Sequence, residues 1–365
     1  MRIFVRMQRK YDFEHSKAGT EYKKKLQKAY LKALNLVTKL APGLNLNDEG
    51  DLYFRNNSRI NKQINTILEG LYEDVYGTTV EGINTEWDRA VEKNNEIATN
   101  IYGKGLADLP AQYKDKYLSN NAAARRNFVY RKDNGLGLSD KIWNNTKQFK
   151  QELELALEHG IGKGKSAARI AKDVKKYLND PDKLFRRVKS KKNGELRLSK
   201  AAKAYHPGAG RYRSSYKNAL RLTANETNFS YEGSQELKRS QQDFIVGIEI
   251  KTSPRHKISD DKGGISCNRL KGKYPKGFKW TFKWHVNCRC YSLNIVKTRA
   301  ELLQDTNKIL DGKAPDTPSS REVKGVPVDY KDESEKWLKK SKRWKSTPRT
   351  FENNKGFKTA EPEGG

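Results

Sequence analysis

The sequence predicts a mainly α-helical protein with a small β element, an elongated helical body followed by a loop region carrying histidine and cysteine. Three observations lead there. Apolar residues recur at spacings of three and four through most of the first 240 positions. Only two short stretches, FIVGIEIKTS and CYSLNIV, have the β-branched composition of strands. Charged residues make up 32% of the chain against 35% hydrophobic, a balance that suits helices with broad solvated faces.

Within residues 17–40, Leu26, Tyr30, Leu34 and Val37 form one apolar stripe, ended by APGLNLNDEG. From about Asn61 to Tyr102, Ile64, Ile67, Leu68, Leu71 and Val75 share a face, and Gly77 is expected to divide the region into two helices. Ser139 is placed to cap a helix with Ile142, Trp143, Phe149, Leu153 and Leu157 on its buried side, stopped by HGIGKGK. Ser166 then caps a shorter helix carrying Ile170, Val174 and Leu178, which Asn179, Asp180 and Pro181 terminate. A long helix is expected from about Tyr212 to Gln242, and the two strand-like stretches read as partners around the loop between them. From Lys297 the chain reads as a mixed polar tail with Pro315, Pro318 and Pro327, in which EKWLKKSKRW is either a short docking helix or part of a linker. The organisation so read is a helical region at 1–110, a central helical domain at 111–245, the small β and His/Cys region at 246–296, and an extended tail at 297–365.

The 365 residues carry 74 Lys and Arg against 44 Asp and Glu, a formal charge of +30. Of these, 16 basic and 12 acidic residues follow position 290, which leaves 58 against 32 before it, so the excess lies in the main body. Such a field favours polyanions: nucleic acid, an acidic protein surface or anionic lipid. No apolar run approaches the roughly 18 residues of a membrane span, and the opening MRIFVRMQRKYDFEH lacks the continuous core of a signal peptide. No membrane partner is expected. Three cysteines do not build a disulfide framework, which turns attention to thiol or metal chemistry.

Those cysteines fall in one region. His256 and Cys267 are followed by KWHVNCRC, which holds His285, Cys288 and Cys290. Imidazole and thiolate are the donors that Zn²⁺ takes in fours at structural sites, so Zn²⁺ is the cofactor to which they point. The preferred ligand set is His256, Cys267, Cys288 and Cys290, with His285 as substitute or supporting donor. The alternative is that His285 bonds a backbone carbonyl while the cysteines pack as small hydrophobes. A catalytic thiol lacks an orienting group. A metal-dependent nuclease would use Asp260 or Asp261 with His256 or His285. The glycines of HGIGKGKSAAR miss the spacing of a phosphate loop and follow no strand, which excludes nucleotide binding of that kind. The basic run RRVKSKK offers Arg186, Arg187, Lys189, Lys191 and Lys192 to nucleic acid, with Tyr205, Tyr212 and Tyr216 nearby as stacking rings.

Residues from about Leu138 to Cys290 resemble the phage minor head proteins, the head morphogenesis proteins of the Mu F-like or SPP1-type group. The resemblance rests on LELALEHGIGKGKSAARIAKDV, on Arg221, Thr223 and Glu226 in LRLTANETN, on His256 and Asp260 in SPRHKISD, and on the closing His285, Asn287, Cys288, Arg289 and Cys290, with Val286 where the family usually has proline. It implies a protein of head assembly in the virion, inside the phage head or at the portal vertex, and in the host cytoplasm during assembly. Its implied partners are the portal protein, the major capsid protein and double-stranded DNA. Arg221 and Glu226 would then anchor their helix to the His/Cys region, and catalysis is not expected. A metal-dependent nuclease or effector and a basic DNA-binding module are the competing readings.

Overall fold

A computed structural model of the chain describes residues 2–46, 52–179, 187–189, 196–198, 214–253, 265–342 and 348–360. Helices dominate, as expected, beside a three-stranded sheet and a two-stranded one. The helices are α1 (Arg2–Lys39), α2 (Ser58–Tyr102), α3 (Ala111–Leu118), α4 (Ala122–Tyr130), α5 (Leu138–Ile161), α6 (Ala167–Asn179), α7 (Ser215–Gln241), α8 (Arg299–Leu310), α9 (Val328–Ser341) and α10 (Arg349–Asn353). The strands are β1 (Arg187–Lys189), β2 (Leu196–Leu198), β3 (Ile245–Lys251), β4 (Gly272–Pro275) and β5 (Tyr291–Val296). The chain forms two compact units whose boundaries fall inside α1, α2, α4 and α7: unit 1 takes Met1–Gly19, Ile83–Phe128 and Asn225–Gly365, and unit 2 takes Thr20–Gly82 and Val129–Ala224.

Unit 2 is built on the predicted stripes. Leu26, Tyr30, Leu34 and Val37 of α1, Ile64, Leu68, Leu71 and Val75 of α2, and Ile142, Phe149, Leu153 and Leu157 of α5 are all buried. Tyr30 sits edge-on to Phe149 at 5.0 Å and to Tyr216 at 5.3 Å. Gly77 does not interrupt α2: one exposed glycine costs about 1 kcal/mol in a helix, less than the buried residues on either side return. Ser139 lies inside the first turn of α5, and the helix begins after Gly137, whose N–H donates to Asp140 Oδ2 at 2.9 Å. At the other end α5 meets α6 closely, because a β-carbon on Gly160 would stand 2.3 Å from Ile170 Cγ1. Ser166 Oγ accepts the Arg169 N–H at 3.4 Å, as expected of a cap. Glu152 of α5 caps α7, accepting the Ser215 N–H at 2.7 Å and the Ser215 hydroxyl at 2.6 Å.

Unit 1 contains the three-stranded antiparallel sheet in the order β4–β3–β5. The predicted pairing of β3 with β5 is present, with Ile248 opposite Asn294 and Ile250 opposite Ser292. The third strand, β4, sets Tyr274 opposite Ile248 and is only four residues long, too short to carry a pattern of its own. The chain after Lys297 is largely helical. Thr298 and Glu301 form a capping box at α8, with Glu301 N–H donating to Thr298 Oγ1 and Thr298 N–H to Glu301 Oε2. Pro327 precedes α9 as its cap, and Val326, Tyr330, Trp337 and Phe351 enter the same core as Ile248, Tyr274, Phe278, Trp280 and Trp284. The apolar anchors here are few and widely spaced among charges, which is why the segment reads as a solvated tail.

The other face of unit 1 is buried and polar. His15 lies between Glu86 (Nδ1–Oε2, 2.6 Å) and Asn228 (Nε2–Oδ1, 2.8 Å) and stacks on Tyr231 at 4.2 Å. Lys93 donates to Asp12 Oδ1 at 2.8 Å and to the Ser292 carbonyl at 3.0 Å. Burial opposes ionisation of Glu86, but hydrogen bonding and charge from His15 and Arg89 hold its carboxyl below the usual glutamate range.

Two measurements check this packing. Trp337→Ala, which removes a buried anchor of α9, is expected to cost about 3–5 kcal/mol in denaturant unfolding; an unchanged midpoint would detach α9 from the core. Because the folded-state pKa of Glu86 is depressed, its stabilisation is complete above its unfolded pKa and is lost as pH falls through the folded value. Glu86→Gln is therefore expected to lower stability near neutrality by on the order of 3 kcal/mol and to flatten its decline in acid.

Candidate metal centre

The centre forms where two turns meet in unit 1. Cys267 opens a turn that leads into β4, and His285 and Cys288 close a tight turn in which the Cys288 N–H donates to the His285 carbonyl at 3.1 Å. Asn287 occupies the third position of that turn with φ +60°, a left-handed conformation that asparagine tolerates better than most residues. Its N–H donates to Asn225 Oδ1 on α7 at 3.1 Å, tying the turn to the long helix. Lys283, two residues before His285, also has positive φ, +51°. Its buried ammonium donates to the Cys290 carbonyl at 2.7 Å and pairs with Glu232 at 3.2 Å, which holds the strained backbone in place. Thr350 Oγ1 donates to the Lys283 carbonyl, and Asn354 bridges both the N–H and the carbonyl of Lys279, so α10 and the residues after it clamp the same loop.

The donor atoms of Cys267, His285 and Cys288 lie within 4.8 Å of one another, a cluster that can hold a metal ion. Cys267 Sγ is 3.8 Å from Cys288 Sγ and 3.0 Å from His285 Nε2. For a tetrahedral ion with metal–sulfur bonds of about 2.3 Å, two thiolates stand about 3.8 Å apart and a thiolate and imidazole about 3.6 Å. The sulfur pair therefore has the spacing of a ligand edge. The imidazole needs to withdraw by roughly half an ångström, which a half-buried side chain on a turn can do. His285 Nδ1 faces the Val286 carbonyl at 2.9 Å; a carbonyl only accepts, so Nδ1 carries the proton and Nε2 offers its lone pair to the cluster. The expected alternative geometry, a histidine bonded to a carbonyl beside buried thiols, is thus present in its parts, but the convergence of the donors goes beyond it.

Charge follows the same geometry. Burial opposes ionisation of Cys288, but hydrogen bonds from Cys267 and Cys290 and the nearby ammonium of Lys283 bring its thiol well below the ordinary range. Hydrogen bonds to Cys288 and Cys290, together with burial, push the Cys267 thiol up. A hydrogen bond from Cys267 favours the thiolate of Cys290, yet its bond to Cys288 and its burial raise it overall. Cys290 is buried in the same core but is not part of the cluster of three donors.

His285, the substitute in the ligand set read from sequence, belongs to the cluster together with Cys267 and Cys288. His256, Asp260 and Asp261 lie outside the described residues, as do Arg186, Lys191, Lys192, Tyr205 and Tyr212. Arg187 and Lys189 lie on β1, paired antiparallel with β2. Tyr216 is buried against Tyr30 and has no free face for a base. Thr223 is buried and shares a 2.7 Å hydrogen bond with Thr79; Arg221, two residues earlier, is half-buried, and Glu226, three residues later, is buried. The residue between them that bonds the His/Cys turn is Asn225, a role that no spacing in the sequence announces. Glu232 and Lys283 also escaped sequence reasoning, since a lone glutamate on a helix and a lone lysine among lysines carry no signal.

No family model, curated protein or solved structure matches this chain. With nothing in those comparisons behind it, the head-assembly function implied by the closing motif does not stand, and the His/Cys cluster favours the metal-dependent alternative. Portal binding, capsid binding and virion location rested on that resemblance alone. Among the described residues no helix is long and apolar enough to cross a membrane.

Asn225→Ala removes the acceptor that fixes the His285–Cys288 turn. It is expected to weaken metal affinity by about 10-fold, the lower end for supporting residues, in competition with a chromophoric chelator; affinity equal to the unaltered chain would deny Asn225 this role.

Proposed function

We propose that this chain is a zinc-dependent nucleic-acid-binding protein in which Cys267, His285, Cys288 and Cys290 hold one structural Zn²⁺. The convergence of three soft donors in a buried, strained turn carries the reading. Three thiols and an imidazole suit Zn²⁺ among the common divalent ions, and the place of Cys290, two residues after Cys288 and buried in the same core, supports it as the fourth ligand. Three thiolates around a divalent ion leave one net negative charge, and the ammonium of Lys283 lies beside it. The ion's contribution is to the fold: it ties the turn before β4 to the turn before β5.

The nucleic-acid part of the proposal draws on charge. Residues 265–297 hold eight Lys and Arg and no Asp or Glu. Arg269, Lys279, Lys283 and Lys297 are paired with carboxylates brought from other elements, and Lys276 donates to the Gln242 carbonyl. Lys271, Lys273 and Arg289 are exposed and form no ion pair among the described residues. They are the groups best placed to meet phosphates, adding to the +30 of the chain.

A second reading, metal-dependent cleavage of nucleic acid, draws on the partial exposure of His285. That exposure gives the ion a side that water can reach, the requirement for metal-activated hydrolysis.

The test combines metal analysis with DNA binding on protein purified without chelator and freed of nucleic acid. About one zinc per chain is expected, lost in a Cys288→Ser, Cys290→Ser variant together with thermal stability. Replacing Lys271, Lys273 and Arg289 with alanine should reduce the salt dependence of DNA binding by roughly 0.9 per removed contact. Absence of metal from both proteins would leave packed thiols and a hydrogen-bonded histidine. DNA cleavage that His285→Ala abolishes would replace the structural reading with the catalytic one.

A further inference from the structure

We propose that unit 2 carries a binding site for a polyamine, an alkyl chain bearing two or more ammonium groups, in the aromatic-walled cavity between α2 and the first turns of α5. The cavity measures about 440 Å³ and is lined by Glu69, Tyr72, Glu73, Ser139, Asp140 and Trp143, a volume in the usual range for small-molecule sites.

Two of its walls are aromatic and set at a corner. The rings of Tyr72 and Trp143 lie 5.4 Å apart at 85°, and Trp143 is 37% exposed, high for so large an apolar side chain. Tyr72 is held in position by a 2.7 Å hydrogen bond between its hydroxyl and Ser139 Oγ and by stacking on Tyr76 at 5.8 Å. A fixed corner of π faces suits a cation carried on methylene groups, since the faces attract charge and the methylenes cover apolar surface. Trp143 already attracts one such group, the ammonium of Lys147, at 5.9 Å from its ring centroid.

The remaining lining is acidic. Glu69 and Glu73 lie one turn apart, a spacing at which like charges repel, and neither has a hydrogen bond or ion pair among the described residues. Elsewhere on the same helix Asp74 pairs with Lys32 at 3.2 Å and Glu81 with Lys25 at 2.6 Å. Among the described residues, basic side chains partner those two carboxylates and not the pair at the cavity. Asp140 adds a third, oriented by the Gly137 N–H. The start of α5 contributes about half a positive charge, which three carboxylates outnumber. The positive field of the whole chain is screened beyond about 8 Å in physiological salt, so the local carboxylates decide the sign. Three of them exceed what one ammonium can neutralise, and this points to an oligoamine.

Titration calorimetry on the full chain, freed of nucleic acid, tests the proposal with spermidine and butylamine as probes. Saturable one-to-one binding of spermidine is expected, with butylamine at least about tenfold weaker. Glu73→Gln and Trp143→Ala, both at exposed positions and each checked for unchanged helicity, should each weaken spermidine by about tenfold, the scale of one lost charge or cation–π contact. No saturable binding of spermidine, equal affinity for the two amines, or equal affinity in the variants would overturn it.

Discussion

The structure of unit 1 turns on keeping a charged helix face out of water. On α7, Thr227, Ser230, Glu232, Ser234, Gln235, Lys238 and Arg239 are all buried, and a buried ionisable group is tolerated only where partners surround it. Glu232 is the pivot: it accepts from Ser292 of β5 at 3.1 Å and from Gln235 at 3.1 Å, and pairs with Lys283. Through Lys283 the same carboxylate reaches the Cys290 carbonyl, and through Ser292 it reaches Lys93 of α2 and Asp12 of α1. The helix, the sheet and the cysteine turn are thus positioned by one connected set of polar contacts, in which a missing member would leave an uncompensated charge.

Behind the cysteines lies the opposite kind of environment. Cys267, Cys288 and Cys290 belong to the same core as Tyr274, Phe278, Trp280, Trp284, Tyr330 and Phe351. A low-polarity shell disfavours three separate thiolates and strengthens the field of any charge within it. The same shell gives a cation with thiolate ligands a stronger hold than an exposed site would. The donors therefore sit between an aromatic core that excludes water and a polar network that supplies the balancing charge of Lys283.

What could be read in the sequence follows from that division. Stripes of apolar residues on α1, α2, α5 and α6 were legible because they bury hydrocarbon against hydrocarbon, and β3 and β5 because their β-branched runs face a core. The first half of α1 was not, since Gln8 and Asp12, which it buries, look like a solvated face. Much of the inner face of α7 has the same disguise. The C-terminal helices were hidden by dilution, with Tyr330, Trp337 and Phe351 spread among lysines and glutamates. At the centre, the closing motif marked His285, Cys288 and Cys290, and Cys267 stood out by its rarity. Asn225, Glu232 and Lys283 became visible only through contacts made across long stretches of chain, which no local pattern encodes.

The interleaving of the two units has a consequence for synthesis. Unit 2 ends at Ala224, whereas unit 1 draws its last segment from Asn225 onward. A ribosome therefore delivers every residue of unit 2 before the first cysteine is made. The buried polar positions of α1 and α2 in unit 1, Asp12, Glu86 and Lys93, must wait in the nascent chain for Glu232, Lys283 and Ser292 to arrive. During that interval their charges remain in water, where they are soluble and resist collapse onto the wrong surface. An apolar face left waiting as long would be an invitation to aggregate.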